Sequence, residues 1–586
     1  MAHAQASPGS DARPLPARTL DATAGADPLE KLTRALAELK AQAILPLLSA
    51  ATQALNAGHI EEALHLTSQV LEAAPDSGLA WRLVALCRER GGDLNGALNA
   101  YEAALQLDPK DADLANDLGR LAMQMGLFDV AEQLFRHFMA ERPDAVDGPN
   151  NLACALRDQL RYGDALDVLR PTILAKPESA LLWNTLGATV AEQGETDQSV
   201  IFFDEALRLD PGFAKARYNR ANVRLSLGDP AGALEDCETA LQSDALSESE
   251  RAMMNFARST MLVASGRLGE GWDAYQVRLQ PRHVDVTHFA VDDATWTPDA
   301  SLEGASLLVF GEQGLGDEVL FANLIPDLLK ALGPEGRLTL AVERRLVPLF
   351  SRSFPTAEVG AHATYRVEHQ SVRTAPFARD RSFDLWAPVA SLLQRFRRGM
   401  NDFPHRPAYL HANPVQVDYW RQALAELGAG MKVGLLWKSL KVSSQRSRFY
   451  SPFAAWAPVL ATPGVRFVNL QYGDCAEEIA HAREVLGIDI WTPPGPDLKE
   501  DLDEVAALAS ALDLVVGPAN ATINLAAACG ASSWFVCPPG GWPMLGTHRY
   551  PWYPKARVFS PPGFNRWEPV MTELAEALRQ DASPMS

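Results

Sequence analysis

The sequence predicts an α-solenoid followed by an α/β module of two doubly wound domains. Three observations predict it. A 34-residue periodicity runs through the first half, it stops near Arg282, and short β-type runs then alternate with helical stretches.

The periodicity is carried by three residue series. Pro75, Pro109, Pro143, Pro177 and Pro211 stand 34 residues apart. Ala63, Ala97, Ala131, Ala165, Ser199 and Ala233 keep the same register, as do Gly58, Gly92, Gly126, Gly194 and Gly228, with Leu160 interrupting the glycines. Large residues follow at Tyr101, Phe135, Leu169 and Phe203. The physical reading is a helix–turn–helix unit. The glycine makes the turn, the small residue lets the helices cross, and the proline ends the second helix. This pattern resembles the tetratricopeptide repeat. The resemblance fits best over 78–111, 112–145 and 180–213, with looser units between them and a degenerate seventh containing Gly266, Gly271, Trp272 and Tyr275. Stacked units form a groove that binds protein segments, or else serve as a spacer or an oligomerisation surface. Asn116, Asn151, Asn184 and Asn219 recur in the first helices, where they either bond a peptide backbone or are plain helix surface.

The 586 residues are 47% hydrophobic and 22% charged, the balance of a soluble globular chain. A net charge of −20 argues against nucleic acid or an anionic membrane as partner. No apolar run reaches the roughly 18 residues of a membrane span. Met1 to Asp27 lacks a basic stretch followed by an apolar one, so 1–28 is expected to be a disordered lead-in and the protein cytoplasmic. The six cysteines fit neither a zinc site nor a redox pair and are expected to be buried thiols.

The repeat array is assigned to 29–281, a linker or docking segment to 282–303, one doubly wound domain to 304–412 and a second to 413–586. Strands are expected at Ser306–Phe310, Arg337–Val342, Asp384–Val389, Lys432–Trp437, Val465–Gln471, Leu514–Gly517 and Ser532–Cys537. Helices are expected at Glu318–Leu332, Leu346–Phe354, Phe453–Leu460, Ala476–Leu486, Leu502–Ala511 and Ala521–Cys529. Two such series place a cleft between two parallel sheets.

Three loops carry the candidate chemistry. Gly311-Glu-Gln313-Gly314-Leu-Gly316-Asp317 follows a strand and opens a helix, but its glycine spacing is not that of a dinucleotide fingerprint. Asp317 is either a helix-capping carboxylate or a reacting one. The second loop runs from Trp437 and holds Lys438, Lys441, Arg446 and Arg448, four cations suited to a phosphate or simply to solvent. Ser451-Pro452 reads as an N-cap followed by a first-turn proline. The third, Asn520-Ala-Thr522-Ile-Asn524, opens a small-residue helix whose N–H groups can bind phosphate. Gln471 and Tyr472, at a strand end, either read a nucleobase or are ordinary strand-end residues.

The segment GEQGLGDEVLFANLIPDLL, after GWDAYQVRL, resembles bacterial tetratricopeptide-repeat proteins carrying a GT-B glycosyltransferase domain, related to heptosyltransferases and to O-linked N-acetylglucosamine transferases. The resemblance covers about residues 260–580. It implies two Rossmann-like domains, with the nucleotide sugar bound mainly by the second. It also implies a catalytic carboxylate at the Gly316-Asp317 pair. Relatives carry an Asp-Thr pair and a later His where this chain has Ala519-Asn520 and Asn524, which removes a carboxylate from the donor side. Overall the chain is most similar to flagellin-glycosylating repeat proteins of alphaproteobacteria. That resemblance implies repeats that recognise flagellin and a nonulosonic acid, such as pseudaminic acid, taken from a CMP-linked donor. No metal or cofactor is implied beyond this nucleotide-sugar co-substrate. The contrary reading is a scaffold whose α/β half has lost its chemistry.

Overall fold

The computed structural model describes residues 42–280, 286–367, 370–439, 449–563 and 566–582. They fall into two compact units, Met1–Ala155 and Leu156–Ser586.

The first unit is helical. A helix through 42–56 is followed by Ile60–Ala73, Gly78–Arg90, Leu94–Leu107, Ala112–Gln124 and Phe128–Glu141, with Asp147–Asp158 reaching the boundary. Gly58, Gly92 and Gly126 hold φ of +82°, +84° and +74°, the left-handed turn that glycine adopts without a Cβ penalty. Two residues before each register proline the second helix stops. Ala74, Asp108 and Arg142 have φ of −143°, −137° and −131°, outside the helical region that a following proline disfavours. Asp93 and Asp111 cap the helices that follow them. Ala63, Ala97 and Ala131 are fully buried at the crossings. A Cβ on Gly119 would stand 2.4 Å from the Phe135 ring, so the aromatic packs onto bare backbone there.

The second unit continues the register through Tyr162–Ala175, Ala180–Gln193, Thr196–Leu209, Ala214–Ser226, Pro230–Ala240, Glu248–Ala264 and Leu268–Ala274. Leu160, the break in the glycine series, takes the glycine's conformation at φ +65°. Ser199 replaces the alanine and is equally buried, its hydroxyl donating to the Thr196 carbonyl at 2.7 Å.

Beyond the repeats lie three sheets. A four-stranded parallel sheet has the order β4-β3-β2-β7, from β2 (Ser306–Phe310), β3 (Arg337–Val342), β4 (Glu358–Ala361) and β7 (Leu385–Pro388). A six-stranded parallel sheet has the order β10-β9-β8-β11-β12-β13. Its strands are β8 (Met431–Leu435), β9 (Val465–Asn469), β10 (Ile490–Trp491), β11 (Leu514–Pro518), β12 (Ser533–Val536) and β13 (Ala556–Phe559). A small sheet pairs β1 (Thr287–Phe289) with β6 (Gln370–Thr374) and β6 with β5 (Ala363–Val367).

Four expectations change. The segment 282–303 is not merely a linker: it supplies β1, and the Trp296 amide donates to the Trp386 carbonyl at 2.8 Å on β7. The helix expected over Glu318–Leu332 starts earlier and divides into Leu315–Phe321 and Ile325–Leu332, with Pro326 starting the second piece. Ser451 is not an N-cap. Its hydroxyl accepts from the Trp456 indole at 2.7 Å, and the short 3₁₀ turn begins at Phe453. The compact units divide inside the repeats because the last repeats are packed against the α/β elements. Trp272 donates to the Arg397 carbonyl at 2.8 Å and meets Trp542 edge-on at 6.1 Å. A Cβ on Gly540 would lie 2.1 Å from the Leu225 carbonyl oxygen.

Candidate functional site

In an open parallel sheet, ligands bind beyond the carboxyl ends of the strands where the strand order reverses. In the four-stranded sheet the reversal lies between β2 and β7, and the loop leaving β2 is Gly311–Asp317. In the six-stranded sheet it lies between β8 and β11, whose loops begin at Leu436 and Ala519. The loops singled out from the sequence therefore leave the strands at both switch points.

The first loop is fixed from below by two buried carboxylates. Glu312 accepts from Arg278 at 2.7 and 2.8 Å and from the Ala390 amide at 2.7 Å. Burial works against the charge of Arg278, and Glu312 outweighs it, so the guanidinium pKa lies above its ordinary value. Glu318 accepts from the Glu343 amide at 2.8 Å and meets His362 at 2.9 Å. A Cβ on Gly311 would stand 2.3 Å from Glu318, so only glycine fits beside this carboxylate. Gln313 turns the chain at φ +61°. Gly314 then donates its amide to Asp317 at 3.1 Å, the half of a capping box that the carboxylate supplies. Asp317 is thus a cap, and it is also partly exposed. Gly316 lets the start of Leu315–Phe321 approach the start of Ala521–Ala528, since its Cβ would lie 3.4 Å from the Ala521 Cα.

On the other side, Asn520 caps Ala521–Ala528 by accepting from the Thr522 and Ile523 amides at 3.1 and 3.2 Å. Asn524 donates to the Asn520 carbonyl and accepts from the Tyr553 hydroxyl, both at 2.8 Å. Thr522 is buried. Gln471 is buried too, and its side chain accepts from the Trp437 and Lys438 amides at 3.0 and 2.9 Å. It therefore shapes the start of the basic loop. The Lys438 ammonium is paired with Glu478. Lys441, Arg446 and Arg448 lie outside the described residues.

These loops open on one cavity of about 1180 Å³. It is lined by Gly314, Gly316, Asp317, Ser439, Tyr472, Asn520, Thr522, Asn524 and Tyr550 from the α/β elements. It is lined equally by Ala188, Tyr218, Asn219, Asn222, Met253 and Thr260, from the first helices of the last three repeats. Asn219 is part of the expected asparagine series, and donates to Asn184 at 2.8 Å as Asn151 does to Asn116 at 2.9 Å in the first unit. A second cavity of about 610 Å³ lies over the ends of β9 and β10, lined by Asn469, Gly473, Ile479 and Arg483 among others. Tyr472 borders both cavities. Sequence reasoning missed Tyr218, Asn222 and Tyr550. The Pro538-Pro-Gly-Gly-Trp542 run, which joins the cavity wall to the repeats, was the signal that could have pointed to this side.

Tetratricopeptide repeat models match residues 90–150 and also 48–112, 150–214 and 203–250. A human protein O-mannosyl-transferase, TMTC1, is 27% identical over 155 residues, which is 26% of this chain and 18% of that protein. The Thermus thermophilus tetratricopeptide protein TTC0263 covers 32% of this chain and all of its own, with 23% identity and a TM-score of 0.29. Protein FlbA of Caulobacter vibrioides is 49% identical over 563 residues, spanning 96% of this chain and 94% of its own length. With near-complete coverage of both chains at that identity, this tetratricopeptide-repeat protein belongs to the FlbA family.

Proposed function

We propose that the chain is a protein O-glycosyltransferase of GT-B type, in which the repeats hold a protein acceptor and the α/β loops hold a nucleotide sugar. The observation that carries this reading is the shared cavity: repeat helices and both switch-point loops line the same space. At about 1180 Å³ it is larger than the roughly 300–1,000 Å³ of a single small-ligand site, leaving room for two substrates. One relative is named a protein O-mannosyl-transferase, but the match spans 18% of it, so the reading rests on the cavity instead.

Asp317 is the general base of this reading. Glu312 and Glu318 lie below the loop, while Asp317 lines the cavity. The other carboxylate among its described lining residues, Glu192, stands on a repeat helix, Ala180–Gln193. The acceptor hydroxyl gives its proton to Asp317 as its oxygen bonds the anomeric carbon. The bond from that carbon to the phosphate oxygen breaks, and its electron pair leaves on the nucleotide. A positioned carboxylate contributes roughly 10²–10⁴-fold to such a step. Asn520, Thr522 and Asn524 form the donor side, with Tyr472 as a stacking face. Gln471 acts as a positioning residue. Lys438, Arg446 and Arg448 hold the phosphate, Lys438 by leaving Glu478. The finer assignment is a CMP-linked nonulosonic acid moved to Ser or Thr of flagellin. The pairing of Lys438 with Glu478 favours the scaffold reading instead.

Reconstitution separates the two. Purified chain, flagellin and a CMP-linked nonulosonic acid should give flagellin of increased intact mass, and omitting any one should abolish the gain. Flagellin that stays unmodified, in a mixture where the chain binds both partners, supports the scaffold.

A further inference from the structure

A stack of aromatic rings lies beside the cavity. Phe535 and Tyr550 are parallel at 4.4 Å, Tyr550 and Tyr553 at 5.9 Å, and Tyr409 and Tyr553 at 6.2 Å. Burial this deep demands a hydrogen-bond partner for each phenol. Tyr409 donates to the Val319 carbonyl at 2.9 Å, and Tyr553 donates to Asn524 at 2.8 Å. Tyr550 is only 4% exposed, and among the described residues its hydroxyl makes no hydrogen bond; the oxygen is not one of the fully buried unpartnered atoms, so it opens on the cavity. It lines the cavity that Asp317 and Asn520 also line.

A second donor belongs to the lining of the same cavity. Asn520 is 8% exposed, and while its carbonyl oxygen caps the helix, its amide nitrogen bonds nothing. Both groups can give a hydrogen, and both line the cavity at which the positive end of Ala521–Ala528 also lies. The Asn520 amide is left buried and unmatched, a state that a ligand acceptor would relieve. Donors gathered without an acceptor are complementary to an acceptor-rich anion.

We propose that Tyr550 donates its hydroxyl hydrogen to the phosphate of a bound nucleotide, together with the Asn520 amide and the N-terminus of Ala521–Ala528. The proposal rests on the glycosyltransferase reading and adds a residue to its donor site. Burial first, then Cys537 and the charge of Asp317, hold the phenol well above its ordinary pKa, so it keeps its proton at neutral pH. In transfer it would stabilise the charge that develops on the leaving phosphate.

The test is calorimetric titration of the full-length chain and its Tyr550→Phe variant with CMP, UDP and GDP. Phenylalanine keeps the ring stack and loses only the hydroxyl. The expected result is an unchanged melting temperature with nucleotide affinity reduced about tenfold. Tyr553→Phe is the control: it loses a bond made within the protein, so it should lower the melting temperature more than Tyr550→Phe does. Unchanged affinity in Tyr550→Phe, with or without a fall in melting temperature, overturns the proposal. A wild-type chain that binds none of the three nucleotides overturns the glycosyltransferase reading itself, and this proposal with it.

Discussion

The repeats and the loops at the switch points use the same residue types to different ends. In the turns of the repeats, glycine serves the backbone: Gly58, Gly92, Gly126, Gly194 and Gly228 all turn left-handed between helices, and a Cβ on Gly58, Gly92, Gly126 or Gly228 would meet no other atom. In the loops, glycine serves space. Gly311 and Gly316 have ordinary φ, and a Cβ would press on Glu318 or approach Ala521. Carboxylates divide likewise. Asp93 and Asp111 cap helices in the repeats, whereas Asp317 caps a helix while facing a cavity. A regular element announces itself by period.

The largest expected effect is on Asp317. Asparagine caps a helix as well as aspartate but takes no proton. Asp317→Asn should therefore cut transfer by roughly 10²–10⁴-fold at a near-native melting temperature, measured by turnover and by thermal unfolding. Near-wild-type turnover would reduce Asp317 to the role of Asp93. The next effect is on stability. Arg278→Ala leaves Glu312 charged and buried, a loss of about 3–5 kcal/mol, which chemical denaturation of the full chain should register.

The repeats were the more legible half. Three residue series with one period fixed helix ends to within a residue or two, because each proline, glycine and small residue acts through its own backbone. The cores of both parallel sheets were legible too, since β2, β3 and β11 are nearly continuous apolar runs. The short strands were not. β4, β5, β6, β10 and β13 are two to five residues long and too polar or too brief to show a period. At the site, Asp317 and Asn520 were visible because they sit beside glycines or open a helix. Tyr550 was not, because its significance is a missing hydrogen bond, and that exists only once Tyr409 and Tyr553 have found theirs.

Smaller effects sharpen the contrast within the repeats. Gly119→Ala pushes a methyl group into Phe135 and should cost about 1–3 kcal/mol by overpacking. Leu160→Gly should do the reverse. Leu160 is 44% exposed and holds φ +65°, so glycine relieves backbone strain with little loss of burial, a gain of up to about 1 kcal/mol in the same denaturation assay. A destabilised Leu160→Gly protein would show that this side chain does more than complete a turn.

The most direct test of the central claim is the intact mass of flagellin from cells deleted for this chain and complemented with either the wild type or Asp317→Asn. The account predicts that flagellin gains the mass of acidic sugar only with the wild type. The same gain in deleted cells, or an undiminished gain with Asp317→Asn, would contradict it.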